Sequence, residues 1–125
     1  MNVHPPGQCL GGLRVGRGKM TSEREKMASG AWYCCVDGEL DAMRMAARRA
    51  CHAHATMDPD NRGNMAPELR ALLGRADTAF IEAPFHCAYG FNIHLGSDVY
   101  LNAGCTILDT APVRIGTGTL IGPAV

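Results

Sequence analysis

The sequence has few of the features that mark several common classes of protein. Aromatic residues make up only 6% of its 125 residues, and 12 basic residues balance 12 acidic ones. A surface that binds nucleic acid or anionic lipid usually carries an excess of positive charge, so no nucleic-acid partner is predicted. No apolar run approaches the ~20 residues that span a bilayer, so no membrane partner is predicted either.

The cysteines do not form a recognisable framework. None of them is in a C-x-x-C pair of the kind that holds zinc, and two are adjacent, the full set being Cys9, Cys34, Cys35, Cys51, Cys87 and Cys105. This spacing favours free thiols in a reducing compartment over disulfides or a zinc site. A cytoplasmic location is therefore expected.

Three regions of different character follow one another along the chain. Residues 1–19 contain five glycines, no acidic residue and no apolar periodicity, which predicts a disordered extension. Residues 20–75 predict a small helical N-terminal domain, and residues 76–125 predict a repetitive β-structure.

The helical region carries recognisable helix signals. Ser22 and Glu25 form a capping-box pattern, which predicts a short helix that ends near Gly30. Apolar residues at helical spacing predict a second helix from about residue 39 to residue 55. Asn64 is predicted to cap a third helix.

From residue 89 onward the apolar pattern has a period of six. One set of aliphatic positions is Leu95, Leu101, Ile107 and Val113, and a set of small or β-branched positions is Ile93, Val99, Cys105 and Ala111. After a two-residue offset the pattern resumes at Ile115 and Ile121. Cys87, like Cys105, is assigned to a small position and to packing. Such repeats are typical of a left-handed parallel β-helix, in which three hexapeptides make one triangular coil.

The repeats suffice for about two coils. Each coil buries its apolar ends only against the next coil, so further repeats or a cap are needed for stability. Because the pattern stops in mid-hexad at Val125, the chain is expected to be a truncated β-helix rather than a finished domain.

Three segments of the chain are characteristic beyond the repeats. They are 23–27 (Glu-Arg-Glu-Lys-Met), 30–33 (Gly-Ala-Trp-Tyr) and 81–90 (Ile-Glu-Ala-Pro-Phe-His-Cys-Ala-Tyr-Gly). In these segments and in its repeats, the chain from residue 20 onward resembles the N-terminal portion of the maltose and galactoside O-acetyltransferases. The repeats alone indicate only the fold, whereas the helical preface joined to the 81–90 segment is much more specific to sugar acetyltransferases.

The resemblance implies acetyl transfer from acetyl-CoA to a sugar hydroxyl, with no metal. It implies a homotrimer with active sites between neighbouring β-helices, a histidine as general base, and an amide or backbone donor for the oxyanion. The family's histidine, in a Thr-x-x-His-Pro-like stretch, is expected about one repeat beyond Val125. This chain is therefore predicted to be inactive alone. The alternative is a non-catalytic remnant that at most associates with β-helix partners.

The resemblance also implies a role for two site residues, Asn102 and Asp109, and the strand surface that they share suggests a third, Tyr100; each of the three has a structural alternative. Asn102 contacts the acceptor and supports the transition state, or is a turn asparagine. Asp109 binds the acceptor or orients the histidine, or is a corner aspartate bonded to backbone. Tyr100 lines the sugar site, or is an exposed surface residue. Ala88 stands where the family usually has Asp or Ser, so one contact to the acceptor is missing.

The remaining polar candidates favour structural roles. His86 and His94 are eight residues apart, which is not a multiple of six, so they do not stack on one face. A zinc-dependent hydratase of the same fold is therefore not predicted. The arginines of the second helix are interpreted as a solvated face rather than as ligands of coenzyme phosphates (Arg44, Arg48 and Arg49).

Overall fold

The computed structural model describes residues 21–125, and the predicted extension at 1–19 lies outside the described residues. The helices are α1 (Glu23–Ser29), α2 (Gly38–Thr56), α3 (Pro59–Arg62) and α4 (Pro67–Leu72). The strands are β1 (Phe80–Ile81), β2 (Phe85–Cys87), β3 (Ile93–Leu95), β4 (Tyr100–Leu101), β5 (Cys105–Ile107), β6 (Val113–Ile115) and β7 (Leu120–Ile121). Within the described part of the chain, no helix is both long and apolar enough to cross a membrane.

The chain divides into two compact units, one ending at Met43 and the other beginning at Arg44. In the first unit, the Ser22 hydroxyl accepts a hydrogen bond from the Glu25 N–H at 3.0 Å, and the Ser22 N–H donates to the Glu25 carboxylate at 3.1 Å. Gly30 ends α1 in the left-handed conformation, with φ 77°. The predicted capping box and helix end are both confirmed.

The start of α4 differs from the prediction. Its N-cap is Ala66, which makes no side-chain cap bond, and the Asn64 amide instead donates to the Thr78 carbonyl at 3.3 Å. Pro67 opens the helix without an N–H group, so there is one donor fewer for a capping side chain to satisfy. The prediction that Asn64 caps the helix is therefore wrong.

The strands build a parallel β-helix. Every strand pair is parallel, and paired residues are always twenty positions apart, as in Phe80 with Tyr100, Phe85 with Cys105, and Ile93 with Val113. Tyr100 pairs in turn with Leu120. Three short strands thus make one coil, and the segment holds two coils and the start of a third. The number of coils agrees with the prediction, and the left-handed sense of the coil stays a prediction.

Each coil contains two residues more than three hexapeptides. The inward residues Ile81, Cys87, Leu95 and Leu101 follow one another at intervals of six, eight and six. The longer interval contains residues 88–92, and its counterpart one coil later is residues 108–112; these two segments are called the long corner. The segments 82–84 and 102–104 are called the short corner.

The position of the long corner corrects three sequence assignments. Val113 pairs with Ile93 and does not continue the aliphatic row, because the two extra residues lie before Val113 rather than after it. Ala111 is exposed in the corner, and Cys87 pairs with Ile107 in the aliphatic row. A six-residue period cannot show where an insertion lies when the residues on both sides of it are apolar.

Helices and strands of the second unit share one core. Ala47 and Cys51 of α2, together with Leu69 and Leu73, pack in the same buried cluster as the inward residues of the coils. Fully burying a leucine contributes about 1.5–3 kcal/mol. Residues on both sides of the boundary predicted after residue 75 thus contribute to one buried cluster, and the division into domains at that point stays a prediction.

One buried polar group in this core is His54 of α2. It has no exposed surface, and its Nδ1 accepts a hydrogen bond from the Ala66 N–H at 3.1 Å. Burial, and then repulsion by Arg62, lower the pKa of His54 below its ordinary value of 6.5. The folded chain therefore holds this imidazole in its neutral form.

Acid is expected to destabilise the fold through His54. Because its pKa is lower in the folded state, the unfolded chain binds the proton first, and stability falls as the pH drops below about 6.5 towards the folded pKa. The substitution His54→Asn retains an oxygen that can accept from Ala66, and it is expected to reduce this pH dependence. Urea unfolding of both proteins above and below that pH measures the difference. Equal pH dependence in both proteins would contradict the assignment.

Candidate functional site

Tyr100 and Asn102 lie together where β4 meets the short corner. The Asn102 N–H donates to the Ile121 carbonyl, and its side-chain oxygen accepts from the Ala103 N–H at 2.7 Å. The side-chain amide nitrogen of Asn102 donates to no group within residues 21–125. The local geometry therefore fixes the orientation of the amide and leaves its two N–H donors for another molecule.

Glu82 is a third polar residue of this corner, and sequence reasoning missed it. The Tyr100 hydroxyl donates to the Glu82 carboxylate at 3.0 Å, and the Tyr100 ring stacks on Phe80 at 5.6 Å between centroids. Burial and the bond to Glu82 raise the pKa of Tyr100, so the phenol stays neutral and donates. Glu82 precedes Asn102 by twenty residues, and a twenty-residue repeat is the signal that could have identified it.

Asp109 lies in the long corner and not beside Asn102. Its carboxylate has no exposed surface and accepts three backbone N–H bonds, from Tyr89 at 2.8 Å, Gly90 at 2.7 Å and Asn92 at 3.2 Å. The Asn92 side chain donates to the Asp109 carbonyl at 2.9 Å. This is the geometry of the corner aspartate that the sequence left as an alternative. Acceptor binding by Asp109 stays a prediction, and all three bonds hold the preceding coil.

A further contact at the long corner comes from helix α2. Arg44 is half-buried, and its Nη1 donates to the Tyr89 hydroxyl at 2.9 Å, with the guanidinium 5.9 Å from the ring centroid. The interpretation of Arg44 as part of a solvated helix face is wrong, whereas Arg48 and Arg49 are exposed as expected. The Tyr-Gly pair at 89–90 was a visible motif, but its partner on a distant helix was not.

The short corner suits a neutral polyhydroxyl molecule better than a charged one. Asn102 offers N–H donors and Glu82 offers carboxylate oxygens, which together match the donors and acceptors of sugar hydroxyl groups. The Glu82 charge would repel coenzyme phosphates, so the corner fits an acceptor rather than the charged end of a coenzyme. In the described part of the chain, no three or more His, Cys, Asp or Glu side chains are grouped closely enough to hold a metal ion.

Comparison with known proteins finds a matching family model and several similar sequences. Residues 26–77 match the maltose acetyltransferase hexapeptide capping motif. Nodulation protein L of Rhizobium meliloti is 42% identical over 105 residues, which are 83% of this chain and 57% of that protein. The chain thus spans about half the length of the curated relatives it matches.

Two solved structures show the same fold. A hexapeptide-repeat-containing acetyltransferase of Vibrio cholerae, solved with acetyl coenzyme A, is 32% identical with TM-score 0.69, covering 83% of this chain and 56% of that one. A maltose O-acetyltransferase of Clostridium difficile is 29% identical with TM-score 0.75, covering 80% of this chain and 54% of that one. The fold and the capping motif of this chain are those found in hexapeptide-repeat acetyltransferases. Within that class, the chain is similar to the maltose and galactoside O-acetyltransferases and to nodulation protein L, over about half of their length.

Proposed function

We propose that this chain contributes the acceptor side of an acetyl-CoA-dependent sugar O-acetyltransferase. The observation that carries the proposal is the short corner, where the side-chain N–H groups of Asn102 have no partner within residues 21–125 and the Tyr100–Glu82 pair lies next to them in the coil. The relatives support acetyl transfer as the reaction, and the Vibrio cholerae structure supports acetyl-CoA as the donor.

In the proposed reaction, Asn102 binds the acceptor and donates to the oxygen that becomes negatively charged. A donor fixed before the reaction stabilises that charge without reorganisation, and removing such a donor costs about 10²–10³-fold in rate. Glu82 and Tyr100 orient the acceptor through hydrogen bonds to its hydroxyl groups. The sequence contains no Thr-x-x-His-Pro stretch, so no residue of this chain is assigned as the general base.

A homotrimer is proposed as the working assembly. The outward positions of β1, β4 and β7 form a row of large side chains, Phe80, Tyr100 and Leu120, and Leu120 is 76% exposed. Such a row supports association with another copy, which would also bring a second chain to the short corner. Native mass spectrometry or analytical ultracentrifugation measures the assembly directly.

The proposal is tested by joining the chain, at Val125, to the remainder of the Clostridium difficile maltose O-acetyltransferase. With acetyl-CoA and a panel of sugars including maltose, the fusion is expected to transfer acetyl groups, detected as acetylated sugar by mass spectrometry. Asn102→Ala in the fusion is expected to lower the rate by about 10²-fold. The 125-residue chain alone is expected to give no product.

The matched control is Asn61→Ala, because Asn61 is exposed on α3 outside the short corner. It is expected to leave the rate of the fusion unchanged. A folded, trimeric fusion with no activity, beside an active intact relative, would overturn the proposal. That result would favour the alternative of a non-catalytic chain that only associates with β-helix partners.

A further inference from the structure

Two buried cysteines outside the proposed site lie unusually close together. Cys51 is on α2 and Cys87 is at the end of β2, and their sulfur atoms are 3.8 Å apart across 36 positions of sequence. Cys51 is 6% exposed and Cys87 is 1% exposed. Both belong to the buried core cluster, and one S–H···S hydrogen bond joins the two thiols.

The shared hydrogen bond also changes the pKa of each thiol. The shared hydrogen bond lowers the pKa of Cys51 to about 7, against the opposing effect of burial. The same bond and burial raise the pKa of Cys87, and the carboxylate of Asp109 opposes thiolate formation at both sulfurs. The thiolate is the nucleophilic form of cysteine, and Cys51, with 6% of its surface exposed against 1% for Cys87, is the more accessible of the two residues.

We propose that Cys51 and Cys87 are a redox modification site, at which a small peroxide converts the two thiols into an intrachain disulfide. The Cys51 thiolate attacks one oxygen of hydrogen peroxide, the O–O bond breaks, and the products are a sulfenic acid at Cys51 and hydroxide. The Cys87 sulfur then attacks the Cys51 sulfur, the S–O bond breaks, and the S–S bond forms as hydroxide leaves. The two thiol protons and the two hydroxides end as two water molecules, and the peroxide is the two-electron oxidant.

The position of the pair gives the disulfide a structural consequence. It would tie α2 to the last residue of β2, directly before the long corner. Closing a loop of this size restricts the unfolded chain, so the oxidised protein is expected to melt roughly 10 °C higher than the reduced one. Bulky reagents are excluded by the burial of both sulfurs, whereas hydrogen peroxide is close to water in size.

The test uses the full chain, reduced, folded and then treated with hydrogen peroxide. The expected product has lost the mass of two hydrogen atoms, and tryptic digestion links the peptide 50–62, which contains Cys51, to the peptide 76–114, which contains Cys87 and Cys105. Dithiothreitol is expected to reverse the link. Cys105→Ala is the matched control, since Cys105 is also buried, and it is expected to retain the link that Cys87→Ala loses.

Three outcomes would overturn the proposal. They are free thiols at both positions after treatment, oxidation of Cys51 to a sulfinic acid without a link, and a link between other cysteines. Should Cys87→Ala fail to fold, the fragment spectrum of the linked peptide from the unsubstituted chain still distinguishes Cys87 from Cys105. The melting temperature of the linked chain gives an independent reading, and no increase would contradict a link within the native fold.

Discussion

Replacing Asp109 by alanine is expected to remove about 3–5 kcal/mol from the free energy of unfolding. Its carboxylate accepts three backbone N–H bonds of the preceding coil in a position without exposed surface. Leaving a buried donor without a partner costs about 1–3 kcal/mol, and bonds to a charged group are at the strong end. A domain of this size has a total stability of about 5–15 kcal/mol, so the variant should lose a large fraction of its stability.

The sharper version of this test is Asp109→Asn. Asparagine has the same shape, but one of its two acceptor atoms becomes an N–H group that faces a backbone donor. The matched control is Asp98→Asn at an exposed position, where φ is 57° and the carboxylate accepts from the Thr78 hydroxyl. Asparagine tolerates that conformation and keeps the accepting oxygen, so the control should change stability by less than about 0.5 kcal/mol.

Urea unfolding followed by circular dichroism measures both variants. A midpoint for Asp109→Asn that equals the midpoint for Asp98→Asn would mean that the long corner does not depend on the carboxylate. A role of Asp109 in acceptor binding alone predicts that result, because loss of an acceptor contact leaves the fold intact. The comparison therefore distinguishes the two functions that the sequence left open for Asp109.

The β-helix was predictable because its cause is local and repeats. Inward positions such as Leu95 and Leu101 must be apolar in every coil, so the period is written directly in the sequence. The helix signals at Ser22 and Gly30 are local in the same sense, since a cap involves residues within one turn. Many features that one short segment determines by itself could be predicted from the sequence, although the start of α4 could not.

Contacts across the fold could not be read in that way. The pairs Arg44 with Tyr89 and Cys51 with Cys87 each join α2 to the long corner or to the strand before it, across more than thirty positions of sequence. No repeat in the sequence relates the two residues of either pair. The relation between Glu82 and Asn102 was missed in the sequence because the count in hexapeptides concealed the true repeat of twenty residues. Of the predicted site, Tyr100 and Asn102 share one corner, whereas Asp109 is at another.

Gly90→Ala is the second substitution with a large expected effect, about 2–4 kcal/mol of destabilisation. Gly90 has φ 91°, which costs an alanine about 1 kcal/mol or more. An added Cβ would also lie 2.5 Å from Cγ and Cδ2 of Leu72, at the end of α4. Forcing a methyl group into packed side chains costs about 1–3 kcal/mol further.

The two costs can be separated with residues of this chain. Gly118 has φ 76° and nothing within 4 Å of an added Cβ, so Gly118→Ala measures the backbone cost alone. In a Leu72→Ala background the collision is absent, and Gly90→Ala should then cost about as much as Gly118→Ala. The difference between the two backgrounds, from urea unfolding, is the coupling energy, expected at about 1–3 kcal/mol.

The coupling energy also decides how α4 and the β-helix are held together. A value in the expected range means that close approach of Leu72 to the bare backbone at Gly90 fixes the helix against the long corner. A Gly90→Ala penalty that is the same in both backgrounds would place the whole cost in the backbone conformation. The long corner would then be fixed by its own hydrogen bonds to Asp109, and the helix would rest on it without determining its shape.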